Sequence, residues 1–179
     1  DTSMGLTPLE GLVMGTRCGD IDPALVFFLM DRLGMSFQQV DDLLNKESGL
    51  LGLSGNSRDV RDLFKASING DKRSKLALKI FCYRVRKYIG AYAAAMGDLN
   101  AVIFTAGIGE NECQIREDIC EGLEFIGMEL DAEKNKSDER EKFINTDNSK
   151  VKILVVPTNE ELLIARDTLE IVSGLNNKE

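Results

Sequence analysis

Apolar residues recur at helical spacing through most of this chain and form buried-type strand runs in only two short places. Pro23 to Leu33 reads as a helix, with Asp22 as its N-cap, Pro23 at its first position and Gly34 as its stop. Ser36 to Lys46 repeats the plan with Phe37, Val40, Leu43 and Leu44 on one face, and the two helices are expected to pack as a hairpin. Asp59 opens a short helix that ends near Gly70. The longest element lies between Asp71 and Met96, where Leu78, Phe81, Cys82, Val85, Ile89, Tyr92 and Met96 make one apolar stripe over about seven turns. Its other face carries Lys72, Arg73, Lys75, Lys79, Arg84, Arg86 and Lys87 and reads as a solvated helix face.

Ala101 to Thr105 is a short strand entering a glycine-containing turn, and Asn111 to Gly122 reads as a helix that Asn111 caps together with Gln114. Val151 to Val156 is a second strand stopped by Pro157, followed by a helix from Thr158 to about Ser173 with Thr158 and Glu161 in a capping-box relation. The glycines of the first 19 residues predict turns, with room for a short helix after Pro8, and Gly49 to Ser57 predicts a loop. Asp131 to Lys150 is polar and predicts a surface helix and loop. No internal repeat or low-complexity linker interrupts this order. Two strands cannot hold a sheet by themselves. Together with an opening on Asp1-Thr2-Ser3-Met4-Gly5 that reads like mid-domain sequence, this gives the expectation of a helix-rich α/β fragment with few strands.

Composition narrows the partners. With 179 residues, 43% hydrophobic and 29% charged, the chain can bury a real core. A net charge of -8 repels polyanions, so nucleic acid and anionic membranes are not expected partners. The best apolar run, Ala24 to Met30, is flanked by Asp22 and Asp31 and is far short of the roughly 20 residues that span a bilayer. Cys18, Cys82, Cys113 and Cys120 form no C-x-x-C pair and there is no histidine to complete a zinc set, so they read as reduced thiols of a cytoplasmic protein.

Four segments could carry chemistry. Gly107-Ile108-Gly109-Glu110-Asn111 follows a strand and precedes a helix, where backbone N–H groups can meet a phosphate or nucleotide, and a tight turn explains it equally well. Arg17 stands between Gly15 and Gly19, where its guanidinium suits a transferring phosphoryl group or, more simply, a salt bridge to Asp20 or Asp22. Asp59-Val60-Arg61 could bracket an adenosine, or Asp59 could serve as a first-turn carboxylate. In Pro157-Thr158-Asn159-Glu160-Glu161, helix capping explains Glu161 and leaves Glu160 free to orient magnesium, which takes few protein ligands.

In set and order these segments resemble the acetate kinase family. The similarity rests on Asp-Thr-Ser-Met-Gly-Leu-Thr-Pro-Leu-Glu-Gly at 1–11, Met-Gly-Thr-Arg at 14–17 and Gly-Asp-Ile-Asp-Pro at 19–23. It continues through Ser57 to Asp62, Lys87 to Tyr92, Phe104 to Asn111 and Val156 to Leu162. The resemblance implies the actin-like, sugar-kinase-like (RNase H-like) ATPase fold. It also implies reversible transfer of a phosphoryl group from ATP to acetate, giving acetyl phosphate and ADP with Mg²⁺, in a homodimer. By the same resemblance Arg17 would stabilise the in-flight phosphoryl, Asp59, Val60, Arg61, Gly107, Ile108, Gly109, Glu110 and Asn111 would hold the nucleotide, and Glu160 would help place the metal. Residues 1–158 would then be most of the carboxy-terminal kinase domain, and 159–179 a terminal helix that packs toward an amino-terminal domain. Family members draw an asparagine, a further arginine, a catalytic aspartate and histidines from parts not matched here, so the chain alone is expected to be inactive. A kinase for propionate or another short carboxylate, or a nucleotide-binding or dimerising module without catalysis, remains the alternative.

Overall fold

The computed structural model describes residues 1–176. Residues 1–23 form turns, with no helix after Pro8. They are followed by α1 (Ala24–Leu33), α2 (Phe37–Asp42), a π-helical turn (Leu43–Glu47), α3 (Gly49–Ser54), α4 (Val60–Ile68) and the 25-residue α5 (Lys72–Met96). Strand β1 (Ala101–Phe104) leads into α6 (Ala106–Asn111) and α7 (Cys113–Cys120), then α8 (Ala132–Lys136), β2 (Lys142–Phe143), β3 (Lys152–Val155) and α9 (Glu160–Asn176).

The local signals that start and stop the helices act as read. Asp22 accepts the N–H of Ala24 at 2.9 Å, and Gly34 ends α1 with φ 65. Ser36 and Gln39 complete a capping box on α2, and Asp71 accepts the N–H groups of Arg73 and Ser74 to open α5. Three expectations need correction. Gly49 to Ser54 is helical, because Gly49 at φ 62 lets the chain turn back and Ser48 closes the preceding π turn through Leu43 O. Asn111 ends α6 and donates to Gly107 O at 2.8 Å instead of capping α7. Asn159, not Thr158, caps α9, accepting the N–H of Leu162 at 3.0 Å.

The sheet has three strands in the order β1-β3-β2. β1 and β3 run parallel in the register Ala101↔Lys152 to Phe104↔Val155, and β2 pairs antiparallel with β3. β2 lies in the stretch expected to be helix and loop, where Lys142, Ile144 and Asn145 are buried although the residues beside them in sequence are largely polar and carry little periodic signal. Ile153 and Val155 face the core with Phe104, against Leu78, Phe81 and Cys82 of α5 and Ile115 and Ile119 of α7. On the opposite face, Ile103 pairs with Leu154 and Leu154 with Phe143, an apolar row whose two ends are each 58% exposed.

The basic face of α5 is only partly solvated. Arg73 donates to the carbonyls of Gly52 and Leu53, each at 3.1 Å, and Arg86 to those of Asp118 and Ile119. These are the last-turn carbonyls of α3 and α7, which have no helical partner and attract a cation. Arg84 pairs with Asp20, so the arginines staple α5 to its neighbours while Lys72, Lys75, Lys79 and Lys87 stay exposed. No described helix is long and apolar enough to cross a membrane.

Candidate functional site

The start of α4 is built around one carboxylate. Asp59 has extended backbone and its Oδ1 accepts the N–H of Arg61 at 2.9 Å, which caps the helix. The Arg61 side chain folds back on the same group, with Nε 3.0 Å from Oδ1 and Nη2 on Oδ2. That fork, helped by the backbone contact, lowers the Asp59 carboxyl to about 2. The two readings of Asp59 therefore share one group: it caps the helix and fixes the plane of an exposed guanidinium.

At the carboxyl end of β1 the chain makes an abrupt turn. Ala106 takes φ 58, a left-handed conformation that is uncommon for a residue with a side chain, and the glycine run winds into α6 rather than a bare turn. Gly109 sits close to the strand end, and a Cβ there would lie 3.2 Å from the carbonyl carbon of Phe104, so a side chain would force that backbone to give by a few tenths of an ångström. Gly107 has nothing within 4 Å of that position and faces open space. Glu110 turns away, with its carboxylate accepting both the N–H and the hydroxyl of Thr158 at 2.8 Å.

Arg116 secures this turn from beneath and is not marked by any sequence pattern. It is 2% exposed, and its Nη1 donates to the carbonyls of Gly109 and Glu110, both at 2.9 Å. Nε and Nη2 go to the side-chain and backbone oxygens of Asn135. Burial lowers its pKa, and the ring of carbonyl acceptors is what allows a cation there.

Two clefts flank α6. The first, of about 570 Å³, brings Asp59, Val60 and Arg61 together with Gly107, Ile108 and Asn111. Its remaining wall includes Met14, Gly15 and Arg58, which lie in the segments 14–17 and 57–62 but were given no role by the sequence, and Leu50, Phe81 and Glu112, of which Leu50 and Phe81 look like ordinary core residues. An apolar slot with polar groups at its edge suits a flat heteroaromatic ring. Gly109 and Glu110 do not line it; their task is to hold the turn.

The second cleft, of about 790 Å³, shares Gly107 with the first and is lined by Arg140, Glu141, Thr158, Glu160 and Glu161 among others. Glu160 opens α9 and has no hydrogen-bond or ion-pair partner among the described residues. No group of three or more histidine, cysteine, aspartate or glutamate side chains is gathered for a metal among the described residues. One free carboxylate fits magnesium as a minor ligand beside phosphate oxygens and fits no self-sufficient metal centre.

Arg17 lies outside the lining of both clefts, on the loop whose Met14 and Gly15 border the first. The loop is pinned through Leu50 N to Met14 O and Leu51 N to Gly15 O, both 2.9 Å, and Cys18 N to Leu44 O at 3.0 Å. Its expected salt bridges do not form. Asp20 is taken by Arg84, Tyr88 and the N–H of Gly11, and Asp22 caps α1. The guanidinium is exposed and unpaired among the described residues, on a loop held by these backbone hydrogen bonds.

Comparison with known proteins places the chain in a family. The family model described as the acetokinase family matches residues 1–166. A curated acetate kinase of Carboxydothermus hydrogenoformans is 59% identical over 172 residues, covering 96% of this chain and 43% of the relative. The crystal structure of Porphyromonas gingivalis acetate kinase superposes with a TM-score of 0.89 at 46% identity, over 95% of this chain and 43% of that one. A propionate kinase structure from Francisella tularensis gives 0.86 at 47% identity, over 92% and 42%. The chain thus spans less than half the length of the curated relatives it matches, and its fold is that of the actin-like ATPases.

Proposed function

The chain belongs to the acetokinase family, and on that premise we propose that it is the carboxy-terminal part of an acetate kinase and supplies one wall of the ATP site. Residues 1–158 make up most of its second domain. The segment 159–179, of which 177–179 lie outside the described residues, packs toward the amino-terminal domain; the exposed Leu163, Ile164 and Leu169 of α9 support this docking. The exposed Phe27, Phe28 and Leu33 of α1 support a contact between copies in a homodimer.

The observation that carries the nucleotide reading is the meeting of Asp59, Val60 and Arg61 with Gly107, Ile108 and Asn111 across one cleft. The apolar slot takes the base, with the fixed Arg61 plane beside it. Gly107, common to both clefts, lets the phosphates pass close to the backbone toward Glu160. Arg17 offers a planar fork to the phosphoryl group as an acetate oxygen forms its bond to the γ-phosphorus and the bond to the leaving ADP oxygen breaks. Magnesium, when bound, offsets phosphate charge, and Glu160 orients it. The chemistry asks mainly for positioning and charge neutralisation, and this chain's share is the positioning of the nucleotide.

Calorimetry of the chain with Mg-ADP tests this reading. Binding in the micromolar range is expected, and the absence of any heat would leave a structural domain only. A propionate kinase is the second reading, favoured by the Francisella tularensis likeness; a substrate profile of the full-length enzyme decides between the two acids.

A further inference from the structure

Arg140 stands between α8 and β2, a stretch whose sequence predicted nothing but surface. It lines the cleft that also holds Gly107, Thr158 and Glu160, and it is the one basic side chain among the residues lining it. Three carboxylates, Glu141, Glu160 and Glu161, line the same space, yet Arg140 forms no ion pair or hydrogen bond among the described residues. Arg61 and Arg84 are committed to carboxylates and Arg73, Arg86 and Arg116 to backbone carbonyls, while Arg17 and Arg58, unpaired among the described residues, lie outside the lining of this cleft. The α6 wall feels its charge. The Glu110 carboxyl lies below the usual range chiefly because Thr158 donates to it through its N–H and hydroxyl, and Arg140 adds a favourable positive charge.

Gly107 lines both clefts. A nucleotide with its base beside Asp59–Arg61 and its chain passing Gly107 therefore carries its phosphates toward Arg140. We propose that Arg140 contacts those phosphates from the β2 side of the cleft, an inference that rests on the nucleotide reading. A guanidinium suits the task because its planar donors match phosphate oxygens two at a time. Without Arg140 every charged side chain lining the cleft is negative.

Calorimetry with adenosine and with Mg-ADP separates base from phosphate recognition. Arg140→Gln is expected to weaken Mg-ADP about tenfold, the worth of one charge-assisted contact, and to leave adenosine unchanged. Arg140→Lys should recover part of the loss. Lys136→Gln removes the same charge from a residue outside this cleft and should change neither affinity. Equal weakening of both ligands, no weakening of either, or the same loss in Lys136→Gln overturns the role of Arg140 and leaves the nucleotide site standing. A wild-type chain that binds neither ligand overturns the nucleotide reading and this inference together.

Discussion

Arg61 grips Asp59 through two parallel contacts, Nε to Oδ1 at 3.0 Å and Nη2 to Oδ2, while the same carboxylate caps α4. One acid thus fixes a helix start and a guanidinium plane at the edge of the cleft. The folded carboxyl, at about 2, lies below its ordinary 3.8. Its stabilising contribution is therefore complete above the unfolded value and disappears as pH falls through about 2. NMR titration of the Asp59 carboxyl should give that depressed midpoint in the wild type and a return toward 3.8 in Arg61→Gln. A midpoint unmoved by the substitution would mean that capping alone holds the carboxylate.

The two glycines of α6 should separate stability from binding. Gly107→Leu places its side chain in open cleft, so the melting temperature should hold or rise slightly, since leucine favours a helix over glycine, while Mg-ADP binding is lost. Gly109→Val drives a Cβ against the Phe104 backbone and should cost about 1–3 kcal/mol of stability. Thermal melts and titrations of the two variants, run side by side, would contradict this assignment if the effects were exchanged.

Arg116→Leu would leave four acceptors, the carbonyls of Gly109, Glu110 and Asn135 and the Asn135 side-chain oxygen, without their arginine donor. With an unpaired buried group costing ~1–3 kcal/mol, chemical denaturation should show a loss of about 3 kcal/mol or more. The Lys142 ammonium sits below the usual lysine range through burial first and the Arg116 charge second. Its pKa should therefore rise in the same variant, which a purely structural loosening remote from Lys142 would not produce.

Arg17→Lys replaces a planar fork by a point charge on a loop whose backbone does not depend on the side chain. In the full-length enzyme, turnover should fall about a hundredfold with a smaller change in the KM for ATP, the pattern of a contact made mainly in the transition state. Steady-state kinetics with unchanged kcat would remove Arg17 from the chemistry.

Local features were legible in the order of the residues. Asp22, Ser36, Asp59 and Asp71 at helix starts and Gly34 at a helix end act on atoms a few residues away, and the apolar stripe of α5 announces its own period. The same locality misled where a residue had a distant partner. Thr158 and Glu161 have the spacing of a capping box, but Thr158 is bound to Glu110, 48 residues earlier, and Asn159 takes the cap. β2 shows only two paired residues in a charged stretch, and its partner β3 supplies the pattern that it lacks. Arg116 has no motif, since its four acceptors come from two separate segments. Only the tertiary structure brings Asp59–Arg61 against Gly107–Asn111, divides the space around α6 into two clefts, and leaves Arg140 unpaired beside one of them. Contacts between residues far apart along the chain leave no period in its sequence, because they are set by how the helices and the sheet pack and not by the spacing of neighbours.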